Sequence, residues 1–330
     1  MVVLLGLVPV CLFLLTLAFL DSYKLVSPAS LVASLGAGAV AGCAGIVVNS
    51  QLLNWTGLSF IAFARYLAPV TEELLKGAFL AYLLYTQRTG FLVDTAIHGF
   101  AIGAGFALVE NTAFFLTNES TGALVWLVRG FGTAMMHGTT VACAGLVAKV
   151  ILQSPGRILA AALLPGIVGA IVIHSAFNHF FIPAVTTTIV IVLILPLFAA
   201  EVFRRSEQAT VRWLGVGFDT DRELLEMITS GRLPDTRIGK YLQSLQSRFR
   251  GEVVADMLCL LRLRLELSIQ AKGLLMMREA GFPAPQDAGE AKEKFAELRY
   301  LEGSIGKTGT LALLPFLHTP KMHLRNILRV

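Results

Sequence analysis

The sequence predicts an all-α protein: a polytopic bundle of about seven transmembrane helices over residues 1–203, then a soluble helical cytoplasmic domain over 204–330. Three observations predict it. Hydrophobic residues make up 55% of the 330 and charged residues only 15%, with a mean hydropathy of +0.70, outside the range of ordinary soluble domains. Apolar runs long enough to cross a bilayer as helices recur at about 2–20, 29–48, 58–86, 94–117, 123–152, 158–181 and 182–203. Up to Phe203 the basic residues equal the acidic ones in number, so the whole net charge of +5 belongs to the segment from Arg204 onward.

The first run has the length of a signal-peptide core but lacks a basic leader and a small-residue cleavage site, so it reads as a span. The third is too long for one straight crossing. Pro69 divides it into a lead-in over 58–68 and a span from about Val70, because proline removes a helix hydrogen bond and clashes with the preceding turn. Lys24, Arg88, Lys149 with Arg157, and Arg204 with Arg205 fall on one side of a seven-span chain. The opposite loops, around Asn49–Thr56, Asn118–Gly122 and Ile182–Pro183, hold no lysine or arginine. The excess of positive charge inside then places the N-terminus outside and the C-terminal part in the cytoplasm. Two N-glycosylation triplets, Asn54-Trp55-Thr56 and Asn118-Glu119-Ser120, lie on the outer side.

Beyond residue 204 the expectation is a set of soluble helices. Thr220 to Glu223 has capping-box spacing ahead of Leu224-Leu225, with Gly231 ending that helix. A long helical pattern follows Pro234 as far as Gly281-Phe282-Pro283, with an interruption at Gly251, and another covers about 288–302. Gly303 to Thr308 is two residues short of a phosphate-binding loop and follows a helix, not a strand, so it is rejected as one. The basic segment is expected to take a cytoplasmic partner; the lipid bilayer is the other surrounding, and no nucleic-acid partner is expected. Cys11, Cys43, Cys143 and Cys259 are scattered without a CxxC pair, so neither a disulfide framework nor a thiolate metal site is indicated and they read as small core hydrophobes.

Function is carried by polar groups inside the apolar runs: Glu72-Glu73 with Lys76, Phe106 with Glu110-Asn111, His137-Gly138, and His174 with Asn178. An ionisable group at the centre of a membrane helix costs about 2.5–3.5 kcal/mol on insertion scales, so it persists where it pairs, lines a wet cavity or does chemistry. Lys76 lies three and four residues after the two glutamates and can neutralise one of them along a helix face. Asn111 orients neighbours. His174 and Asn178, four apart, share a face and make a base or ligand with an oxyanion donor beside it. His98 reads as an interfacial pair with Asp94, His179 as structural, and His318 and His323 carry no signal. On the assigned orientation all the candidate groups meet in the outer half of the bilayer.

Two mechanisms of hydrolysis fit. In one, Glu73 or Glu72 is the general base while His137, His174 and Asn178 polarise the carbonyl. In the other, His137, His174 and Glu110 hold zinc or another divalent ion and a further glutamate takes the proton of the bound water. A proton- or ion-coupled transporter is the alternative, because buried acids and histidines also mark ion pathways; against it, no inverted repeat is evident. Alanine at Glu73, Glu110 or His174 is expected to abolish cleavage with little loss of folded protein, and alanine at His98 or His179 to be tolerated.

The order EExxK, FxxxEN, His-Gly and a final histidine with asparagine, over roughly residues 60–180, resembles the PrsW family of intramembrane proteases, within the superfamily that includes CAAX-prenyl proteases and bacteriocin-processing membrane proteins. The resemblance implies cleavage of a membrane-anchored protein, with site-1 cleavage of a transmembrane anti-sigma factor in a bacterial plasma membrane as the family's associated role. It implies Glu72, Glu73, Glu110, His137 and His174 as functional positions.

Overall fold

Local chemistry sets the helix boundaries. Ser27 caps the helix Pro28–Thr56 (α2) by accepting from the Ser30 amide at 3.2 Å, with Pro28 in the first turn. Gly57 closes it in the left-handed conformation (φ 63°), its amide bonded to the Leu53 carbonyl. This computed structural model describes residues 4–118, 122–152, 157–282, 288–317 and 321–328. The triplet at Asn118–Ser120, Pro283 and His318 fall wholly or partly outside them.

The chain divides into two units, residues 1–206 and 207–330. In the first, α1 (Leu4–Phe19) and α2 are followed by a one-turn lead-in at Phe60–Ala62 and a π-helical segment at Phe63–Leu67. Then come α3 (Ala68–Tyr85), α4 (Leu92–Thr117), α5 (Ala123–Leu152, with a π-helical stretch at Val128–Thr133), α6 (Leu159–His179) and the first part of α7 (Ala184–Thr229). Among the described residues there is no strand. Five helices, α2, α4, α5, α6 and α7, are long and apolar enough to cross a membrane. Helix α1 is shorter, and α3 carries Glu72, Glu73 and Lys76. The chain at Pro69 is not broken as the sequence predicts; it passes from π to α geometry one residue earlier.

Helix α4 is the axis of this unit, packed between α2 and α5. Small residues allow the approach: a methyl group on Gly38 would lie 1.9 Å from the Ile102 carbonyl oxygen, and one on Gly103 would lie 2.1 Å from that of His137. Phe100, Ala101 and Ala104 of α4 join Val10, Leu14 and Met135 in one apolar cluster; Ile102 joins Leu80, Val141 and Leu163 in another. Asp94 caps the start of α4 through the Gly90 and Phe91 amides, and Lys149 is buried against the Thr89 carbonyl at 2.6 Å. One expectation is therefore revised. Lys149 sits in a packed helix end, and His98, expected to pair with Asp94, reaches Ser34 Oγ on α2 at 2.8 Å.

Gly103→Ala is expected to force α4 from α5 beside His137, lowering stability by about 1–3 kcal/mol and proteolysis with it, as thermal unfolding and a cleavage assay would read.

Among the described residues of the second unit the regular structure is helical: the remainder of α7, α8 (Arg237–Leu245), α9 (Gly251–Glu279), α10 (Ala288–Leu313) and α11 (Lys321–Leu328). No helix starts at Thr220: α7 runs through it, because Asp221 is buried as the partner of Lys272 (2.7 Å) and Ser268 (2.5 Å). The chain turns at Gly231 (φ 72°), and α10 leaves helical geometry at Gly306 (φ 67°). The four cysteines are free.

Candidate active site

Four helices of the first unit deliver charged or imidazole side chains to one place. Helix α3 presents Glu73 and Lys76, three apart and both fully buried, with Lys76 Nζ 2.5 Å from Glu73 Oε1. Helix α6 brings His174, whose Nδ1 lies 2.9 Å from the same Glu73 oxygen and whose Nε2 lies 3.8 Å from Glu72 Oε2. Helix α5 brings His137, and α4 brings Glu110. His137 Nε2 is 2.7 Å from Glu110 Oε2, and its Nδ1 is 2.9 Å from Lys76 Nζ. The two imidazoles stand edge to face, 4.8 Å between centroids. Phe106, one turn before Glu110, supports His137 at 5.1 Å and places its ring 4.7 Å from the Lys76 ammonium.

Five of the six site residues expected from the sequence, Glu72, Glu73, Glu110, His137 and His174, are thus brought together. Asn178 is not. Its amide donates to the Ala64 carbonyl at 2.9 Å, a backbone partner outside the cluster. His179 bonds the Ser175 carbonyl at 2.7 Å and stacks on Phe181. Asn111 bridges the Gly6 carbonyl on α1 and Arg129.

Three participants escape a reading of spans alone. Asn49 donates to Glu72 Oε1 at 3.0 Å and accepts from Thr71 at 2.5 Å; the sequence places it in a loop, whereas α2 continues to Thr56. The glycine at 57 was the available signal for that longer helix. Arg129 donates to Glu110 Oε1 at 2.9 Å from the π-helical stretch of α5. Thr140, one turn after His137, donates to the His137 carbonyl at 3.0 Å and lies 3.4 Å from Glu73.

Glu72, His137 and His174 each offer a ligand atom, all within 4.8 Å of one another. Two imidazoles and a carboxylate form a known zinc set, whose ligands sit about 2.1 Å from the ion. The fit extends outward, since each histidine gives one ring nitrogen to a glutamate (His137 to Glu110, His174 to Glu73), the arrangement that fixes a ligating imidazole; the other His137 nitrogen, Nδ1, takes Lys76 Nζ at 2.9 Å and would ligate only where the lysine gives it up. The expected metal set paired the two histidines with Glu110. Glu110 is held by Arg129 and His137, and the carboxylate whose oxygen is grouped with the two imidazoles is Glu72.

An apolar cleft of about 510 Å³ opens between α5, α6 and α7, lined by residues such as Met136, Ile173, Phe177 and Ile194. No residue of the cluster lines it. The most open member of the cluster is Glu110, its side chain 34% exposed against 2% for Glu73.

Carboxylates and imidazoles from four helices converge inside an apolar helical bundle, with Glu72, His137 and His174 as a candidate metal set. The family model for the PrsW family intramembrane metalloproteases matches residues 27–201, more than half of the chain, and the protein belongs to that family. It is therefore an integral membrane peptidase whose substrates are membrane-embedded proteins, and the peptidase expectation prevails over the transporter. No curated protein and no solved structure matches the chain.

Proposed function

We propose that Glu72, Glu73, Glu110, His137 and His174 form the catalytic centre of an intramembrane endopeptidase that hydrolyses a peptide bond of a membrane-anchored protein. The observation that carries this is the meeting of α3, α4, α5 and α6 at the His137–His174 pair, with a glutamate on each imidazole.

The two adjacent glutamates divide the work. Glu72, steadied by Asn49, faces His174 Nε2 and completes with His137 and His174 a set for a divalent cation, zinc being the ion this donor set suits. Such an ion supplies Lewis-acid polarisation and makes a nucleophilic water available at neutral pH. Glu73 would take a proton from the attacking water and return it to the leaving amine, while the neighbouring Lys76 balances its charge. Glu110, clamped by Arg129, holds His137 in orientation.

With Lys24, Arg88, Arg157 and Arg204 on the cytoplasmic side of a seven-span chain, the centre lies toward the outer half of the bilayer of a bacterial plasma membrane. A transmembrane anti-sigma factor is the candidate substrate, and residues 204–330 form an accessory domain offered to a cytoplasmic partner. Co-expression with single-span reporters tests the reading. Wild-type protein releases an outer fragment and Glu73→Gln does not; equal release by both would remove Glu73 from the chemistry.

A further inference from the structure

Pro69 leaves α3 short of a donor at its start, and α6 supplies it. The Ala68 amide bonds the Phe63 carbonyl five residues back, in π register. Residue 69 is next, and its amide would serve Ala64 in that register or Arg65 in α register. Proline has no N–H and serves neither. Asn178 Nδ2 donates to the Ala64 carbonyl at 2.9 Å, and Ser175 Oγ donates to the Arg65 carbonyl at 2.7 Å. Within a bilayer such carbonyls lack water as a partner, so side chains of a neighbouring helix take them up.

The consequence reaches the catalytic centre by register. One residue inserted into a helix turns everything after it by about 100°. Glu72 and Glu73 follow Pro69 by three and four residues, so the π segment decides which way each carboxylate points. Ser175 adjoins His174, and Asn178 stands one turn beyond it. The helix that carries the imidazole therefore also grips the backbone that aims the carboxylates.

We infer that Asn178 is a positioning residue that stands in for the amide missing at Pro69, with Ser175 beside it on the adjoining Arg65 carbonyl, and that the pair holds Glu72 and Glu73 in register with His174. This rests on the reading that those three residues carry the chemistry.

Supplying the missing amide tests it. Full-length wild type, Asn178→Ala, Pro69→Ala and the Pro69→Ala/Asn178→Ala double variant are compared in detergent on a single-span reporter that the wild type cleaves, with hydrogen exchange followed over residues 70–76. Misplacement of a catalytic group costs on the order of 10–100-fold. Asn178→Ala is expected to lose that much in kcat with KM unchanged and to exchange faster. The double variant is expected to return to the kcat and the exchange of Pro69→Ala, because the new amide continues the π register onto Ala64. Wild-type kcat and exchange in Asn178→Ala, or a loss that Pro69→Ala does not reverse, overturns the inference. Should Asn178→Ala fail to accumulate, recovery of folded protein in the double variant is the deciding result, and its absence counts against. A fully active Glu73→Gln would strike the catalytic reading instead, and the exchange data, which need no substrate, would still decide the clamp.

Discussion

Glu73→Gln abolishes proteolysis while Glu73→Ala also unfolds a large fraction of the protein. The carboxylate has a single oxygen within reach of Lys76 (2.5 Å), His174 (2.9 Å) and Thr140 (3.4 Å), and it is buried with Lys76 fully enclosed. General-base catalysis contributes about 10²–10⁴-fold, and disorienting His174 adds to the loss, so turnover in either variant falls by at least about 10³-fold. Stability separates the two. Glutamine keeps an acceptor beside Lys76, but alanine leaves a buried ammonium without its partner, which costs about 3–5 kcal/mol. The sequence alone predicts alanine to be structurally harmless, and the burial of Lys76 reverses that. Thermal unfolding in detergent, read beside cleavage of a reporter, checks it. Lys76→Met placed in Glu73→Ala should restore folded yield without restoring turnover. An active Glu73→Gln, or Glu73→Ala as stable as wild type, contradicts the assigned geometry.

The second large effect is on metal. Purified protein is expected to carry one divalent ion per chain, and a chelator is expected to stop proteolysis until zinc is returned. His174→Ala and Glu72→Ala should each lose the ion, because each removes one of three ligands. Glu110→Gln should retain it with about 10–100-fold weaker affinity, the usual cost of losing the partner that orients a ligating imidazole. Elemental analysis of the four proteins, with titration of Glu110→Gln, separates these outcomes. Metal-free protein with full, chelator-resistant activity would leave the same side chains working without an ion. Equal loss of metal in Glu110→Gln and Glu72→Ala would return Glu110 to the ligand set.

The site was legible because Glu72, Glu73, Glu110, His137 and His174 interrupt apolar runs, where an ionisable group has few reasons to be. Asn49 and Thr140 carry no such cost and look like span ends or helix-surface hydroxyls. Arg129, although charged, sits just inside its apolar run, and the π-helical stretch that aims it at Glu110 has no composition of its own. Asn178 bonds outside the cluster for a definite reason. Spacing of four puts it on the face of His174, but it also moves it one turn, about 5.4 Å, along the axis, level with the Ala64 carbonyl and away from the imidazole's partners.

In the second unit, Thr220 to Glu223 has the composition of a helix start, and α7 nonetheless passes through it because Asp221 is needed by Lys272. A cap is worth about 1 kcal/mol, less than leaving a buried ammonium unpaired.

Hydropathy and the scarcity of charge determined that this chain is a helical membrane protein, and the charged exceptions determined which residues meet in it. Transfer of side chains from water is a property of each residue and its near neighbours, so a linear sequence records it. Which nitrogen faces which carboxylate, whether Glu72 or Glu110 joins the two histidines, and what Asn178 holds depend on distances between helices far apart in sequence. Those distances follow from glycine contacts such as Gly103 on His137 and from the register change before Pro69, and only the packed tertiary structure fixes them.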